Sequence, residues 1–154
     1  MESNNALYAL LIEYTEIYEN AVKLEYEKYD ASVKNDMDKL NEVISKEQVF
    51  YLKMKGLEQK REKLTLSMKV NDKTLKEIIE LYDGDNKIKL KSEFDKLNKA
   101  LIDFKKINHE CKTIIDIRLH RINSVMSKLG QKENTYSENS KHSNIKSNVL
   151  SKKI

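Results

Sequence analysis

Residues 87–130, KIKLKSEFDKLNKALIDFKKINHECKTIIDIRLHRINSVMSKLG, decide the fold. Leu90, Phe94, Leu97, Leu101, Phe104, Asn108, Cys111, Ile115, Arg118, Ile122, Val125 and Leu129 step through it by fours and threes without a break. That spacing keeps one side of an α-helix largely apolar along its whole length. The pattern predicts a single helix over about residues 87–129, ended by Gly130, a residue free to take the left-handed turn that closes helices. In its C-terminal half Ile114, Ile117 and Met126 lie beside the strict seam and widen the apolar stripe. One neighbouring helix does not normally cover a stripe that wide. Either the rest of the chain wraps it or another molecule does.

Upstream, Leu40, Val43, Glu47, Phe50, Met54, Leu57, Arg61, Leu64 and Met68 repeat the same alternation. They predict a helix over about residues 36–70, with Asn35 as its cap and Asp36 and Asp38 in its first turn. Gly56 sits inside that helix at a cost of roughly 1 kcal/mol relative to Ala, which points to a close helix approach there. A first helix is expected over residues 5–33, capped by Asn4 or Asn5, from Leu7, Leu10, Leu11, Tyr14, Ile17, Tyr18, Ala21 and Val22. Five of the eight Tyr fall in it, suited to a bundle boundary where the ring is buried and the hydroxyl wet. Between the second helix and the last, Thr74-Leu75-Lys76-Glu77 has capping-box spacing and starts a short helix through Ile78 and Ile79. Asp83-Gly84-Asp85-Asn86 reads as the turn that stops it; the alternating oxygen ligands and closing Glu of a calcium loop are missing.

The composition agrees. The 154 residues include no Pro, three Gly and 35% charged side chains, a mixture for long helices and against turn-rich β folds. The predicted architecture is all-α: an antiparallel bundle or coiled coil of three long helices plus a short one over residues 1–130, then a flexible basic tail over 131–154. Of the net charge of +4, the tail carries +3, leaving the body nearly balanced. With 26 Lys against 3 Arg, the chain lacks the side chain suited to phosphate forks and base edges, so nucleic acid is not an expected partner. No run of residues is long and apolar enough for a membrane span and no secretory pattern opens the chain, so no membrane insertion and a cytoplasmic location are expected. A lone Cys111 fits a reducing compartment.

Reactive constellations are lacking. There is no glycine-rich phosphate loop, no G-x-S-x-G and no Cys/His metal spacing. Asp116 and His120 lie one turn apart, but His109 and Cys111 point about 200° apart on a helix and cannot share an ion. The expectation is a protein that is not an enzyme and uses no catalytic residue, metal or cofactor. Its remaining chemistry is apolar recognition between helices.

In this arrangement the chain resembles the FlgN-type flagellar export chaperones over most of residues 5–140. Asp36 to Leu40 opens the second helix as in that family, and Leu57-Glu58-Gln59-Lys60-Arg61 matches its Leu-Glu-x-x-Arg element. Thr74-Leu75-Lys76-Glu77-Ile78 looks like its linking helix; Ile107-Asn108 with Ile114-Ile115 is similar to its Asn-containing stretch, and Tyr136 stands where it often carries a Tyr. Cys111 replaces a second Asn common in the family. The resemblance implies a chaperone that binds the C-terminal amphipathic region of hook-associated proteins. It would keep them unassembled and deliver them to components of the export apparatus. Surplus apolar width and the family's usual binding region assign docking to Ile114, Ile117, Ile122, Val125, Met126 and Leu129. Alternatives of the same physical kind are a self-associating structural coiled coil and a helical chaperone for flagellin or filament cap.

Overall fold

A computed structural model describes residues 2–134, with side chains as far as Gln131. It contains four helices: α1 (Glu2–Lys34), α2 (Met37–Ser67), α3 (Leu75–Glu80) and α4 (Gly84–Asn134). No strand occurs among the described residues. The chain divides into two compact units, Met1–Ile117 and Arg118–Ile154.

In the first unit α1 and α2 run antiparallel. Tyr14 pairs with Glu58 and Lys28 with Glu47 across their interface. The first part of α4 runs parallel to α1: Asn4 Nδ2 donates to Asn86 Oδ1 at 2.9 Å, and Cys111 Sγ donates to the Glu25 carbonyl at 3.1 Å. Every position of the α2 heptad seam, from Leu40 to Met68, is buried or half-buried, which is what the alternation of threes and fours requires. The main core joins Leu7, Leu11 and Tyr14 of α1 to Leu57 of α2, Ile78 and Ile79 of α3, and Leu90 and Leu97 of α4. Midway along, the Tyr18, Phe50 and Phe104 rings meet at centroid distances of 5.6 to 6.0 Å, one from each long helix. Such tilted and edge-on pairs add about 0.5–1.5 kcal/mol each beyond burial.

The six-residue α3 is too short to persist alone. Thr74 accepts from the Glu77 backbone N–H, the Glu77 carboxylate accepts from the Thr74 N–H at 2.7 Å, and burial of Ile78 and Ile79 does the rest.

Helix ends depart from expectation in instructive ways. The cap of α2 is Asp36, whose carboxylate accepts from the Lys39 N–H at 3.0 Å. Asn35 instead closes α1: its φ of 54° lets Asp36 N–H reach the Ala31 carbonyl at 3.0 Å, a Schellman closure that Asn tolerates better than most residues. Lys69, at φ 57°, closes α2 the same way through Val70 N–H and the Thr65 carbonyl, so α2 stops at Ser67 before the apolar pattern runs out. At the amino end α1 begins at Glu2, and Asn4 ties to α4 instead of capping. The expected turn at residues 83–86 is shorter, because Gly84 (φ 59°) already opens α4 and Asp85 sits in its first turn.

Two glycine readings change. Among the described residues nothing stands within 4 Å of where a Cβ of Gly56 would be, so none of them makes a close approach there. Gly130 does not end α4, which continues to Asn134 because an uninterrupted helix tolerates one Gly. Most of the expected basic tail, residues 135–154, lies outside the described residues.

Candidate partner-docking site

The α4 seam begins deep in the first unit. Leu90, Leu97, Ile107 and Cys111 are fully buried, with Phe94, Leu101, Phe104 and Asn108 half-buried between them. Toward the end of that unit the enclosure loosens: Ile114 and Ile115 are half-buried, and Ile117 is 48% exposed.

The described part of the second unit is helix and nothing else. Every residue from Leu119 to Leu129 in it is exposed. Ile122, Val125, Met126 and Leu129 stand at 53–64% exposure, values unusual for four large apolar side chains spaced as a helical stripe. Leu119, 50% exposed, was not among the docking residues expected from sequence. At about 100° per residue it lies within about 20° of Met126 and extends the stripe. The spacing of seven from Leu119 to Met126 was the signal that could have found it. From Ile117 to Gln131 the chain has Arg118, Arg121 and Lys128 but no acidic residue, so the polar setting of the stripe is basic. Such a surface can bury a partner's apolar face.

A polar layer inside the first unit was not foreseen. Glu25, only 1% exposed, lies 3.6 Å from Lys28 Nζ, which also reaches Glu47 at 2.8 Å. Two carboxylates thus share one ammonium, and Glu25 Oε2 has no hydrogen-bond partner. Burial, then the proximity of Glu47, pushes the Glu25 carboxyl up to about 7, against the pull of Lys28. Burial alone would lower the Lys28 ammonium, but its bond to Glu47 and the Glu25 charge raise it overall. Burial, then the Glu25 charge, pushes the Cys111 thiol up to about 12, so it stays protonated and weakly reactive. Glu47 and Cys111 are both seam positions, and extending the α1 spacing beyond Tyr18 and Ala21 lands on Glu25, Lys28 and Ser32.

A second polar group surrounds the Leu-Glu-x-x-Arg element. Tyr14 donates to Glu58 Oε2 at 2.8 Å, and Arg61 Nε donates to Glu58 Oε1 at 2.9 Å. The Arg61 bond holds the Glu58 carboxyl below its usual range, while burial and then that carboxylate raise the Tyr14 hydroxyl. This network ties α1 to α2 and answers why Arg61 can occupy a seam. Asp116 and His120 are exposed, and among the described residues no His, Cys, Asp and Glu group together as metal ligands. Among those residues no helix is long and apolar enough to cross a membrane.

In comparison with known proteins, a family model described as FlgN protein matches residues 1–144. No curated protein and no solved structure matches the chain.

Proposed function

Because the chain belongs to the FlgN family of flagellar export chaperones, we propose that its work is to hold the C-terminal amphipathic segment of a hook-associated protein. The segment lies along α4, with Ile114, Ile117, Ile122, Val125, Met126 and Leu129 as the docking residues and Leu119 extending them. The observation that carries this reading is the exposed stripe from Leu119 to Leu129, which the described residues leave without an apolar cover.

The physics suits a carrier. Apolar area leaving water contributes about 25 cal/mol per Å², and ordering a disordered substrate tail offsets part of that. The result is moderate affinity and reversible release. While bound, the substrate's assembly face is hidden; on delivery to an export component, in the cytoplasm, it is given up without nucleotide.

Calorimetric titration with C-terminal peptides of hook-associated proteins, flagellin and filament cap protein tests the assignment. Saturable binding with a negative heat-capacity change is expected for a hook-associated peptide alone. Tighter binding of the flagellin or cap peptide would move the protein to another substrate, and no heat with any of them would overturn the docking role.

A further inference from the structure

The groove between α1 and α2 has no part in the docking just described. Ile17, Ala21 and Leu24 of α1 face Val49 and Phe50 of α2 across it, enclosing about 380 Å³. Its remaining lining includes Lys23, Lys46 and Lys53 and no carboxylate. Lys46 is engaged by Glu42 at 2.8 Å, but Lys23 and Lys53 are in no ion pair among the described residues. Beside the groove α2 presents Val49 and Leu52, 51% and 71% exposed. Gly56 follows them by seven and four residues and so shares their strip. A glycine inside a helix is a local cost, and here nothing among the described residues comes within 4 Å of the space it leaves. That notch lets another helix backbone come close beside two exposed apolar side chains.

We propose that this face is a second docking surface, and that its occupant is an amphipathic helix of another protein whose apolar side is flanked by acidic residues. The charge selects among occupants. The chain's own residues 131–154 carry five Lys and two Glu, and would bring like charge to Lys23 and Lys53. The α4 stripe of a second copy carries Arg121 and Lys128 and meets the same repulsion. An acidic amphipathic helix satisfies both the apolar floor and the lysine rim.

The test uses the full chain and a fluorescent synthetic helical peptide with leucine on one face and glutamate on its flanks. A lysine-for-glutamate counterpart serves as control. The glutamate peptide is expected to bind saturably, more weakly at high salt, and the control not to bind. Gly56→Leu should weaken binding by about tenfold through filling the notch, while raising the Tm because Leu favours helix over Gly. Lys23→Glu with Lys53→Glu should weaken it by a similar factor, on the order of tenfold. Because the basic setting of the α4 stripe would also receive the glutamate peptide, the titrations are made on the full-length Ile122→Asp, Met126→Asp variant, which removes that stripe and should keep one saturable site. The proposal is overturned if the glutamate peptide shows no saturable binding to that variant, or if Gly56→Leu leaves its affinity unchanged. A dimer by light scattering that Gly56→Leu dissociates would replace the foreign helix with a second copy.

Discussion

Two stretches of α4, Leu90 to Cys111 and Leu119 to Leu129, carry large apolar side chains at the same helical spacing and meet opposite fates. The first is enclosed by α1, α2 and α3, with Leu90, Leu97, Ile107 and Cys111 each at most 3% exposed. In the second no large apolar side chain falls below 50% exposure. Apolar spacing fixes which side of a helix avoids water; it does not say what covers that side. In the first stretch folding uses the stripe up. In the second the stripe is retained, and its burial remains available to a partner.

The comparison is most easily broken by truncation in each stretch. Leu97→Ala should cost about 2–5 kcal/mol in urea unfolding, as fully buried leucines do. Leu129→Ala should stay within about 0.5 kcal/mol. Equal losses would mean that both stretches are core.

Thiol labelling sharpens the same contrast. Cys111 is buried and its thiol held protonated, so it should react with iodoacetamide only when the first unit opens. A cysteine introduced as Ile122→Cys should react at least about a hundredfold faster under native conditions, equivalent to about 2.7 kcal/mol of protection. Similar rates would show that the enclosure around Cys111 is loose.

A pH-dependent effect, on the order of 2–3 kcal/mol between pH 5 and pH 8, is expected from the charge layer beside Cys111. Glu25 holds its proton up to about 7 in the fold, against an ordinary value of 4.5. The folded protein therefore binds more protons than the unfolded chain between those values. Its contribution is fully present below about 4.5 and is lost as pH rises through about 7. Glu25→Gln removes this dependence, so the variant's stability relative to the parent should be higher at pH 8 than at pH 5. Denaturant melts at the two values measure it; a pH-independent difference would show that Lys28 fully compensates Glu25.

Much of the first unit was legible as sequence. The α2 seam, the Thr74–Glu77 box and the four-helix order follow from spacing and capping chemistry, both local properties. Helix ends were less so, because Asn35 and Lys69 close helices at positive φ, a choice settled by the tertiary direction of the chain. The charge layer escaped because Glu25 and Lys28 look like surface residues until the 3–4 spacing is carried past the last apolar member of the α1 seam. Gly56 was legible as an anomaly, but only the structure places the space it leaves on an outer face. The width of the α4 stripe could be read in the sequence; its exposure depends on what the remaining helices cover, which no local pattern records.

Residues 119–129 are proposed to serve binding and not folding. One sample of the Ile122→Asp, Met126→Asp variant tests this, by thermal unfolding and then titration with the hook-associated C-terminal peptide. A Tm within about 2 °C of the parent is expected, as for substitutions at exposed positions, together with loss of the binding heat. A collapsed Tm would make these residues core, and an unchanged titration would place the partner elsewhere; either result contradicts that role.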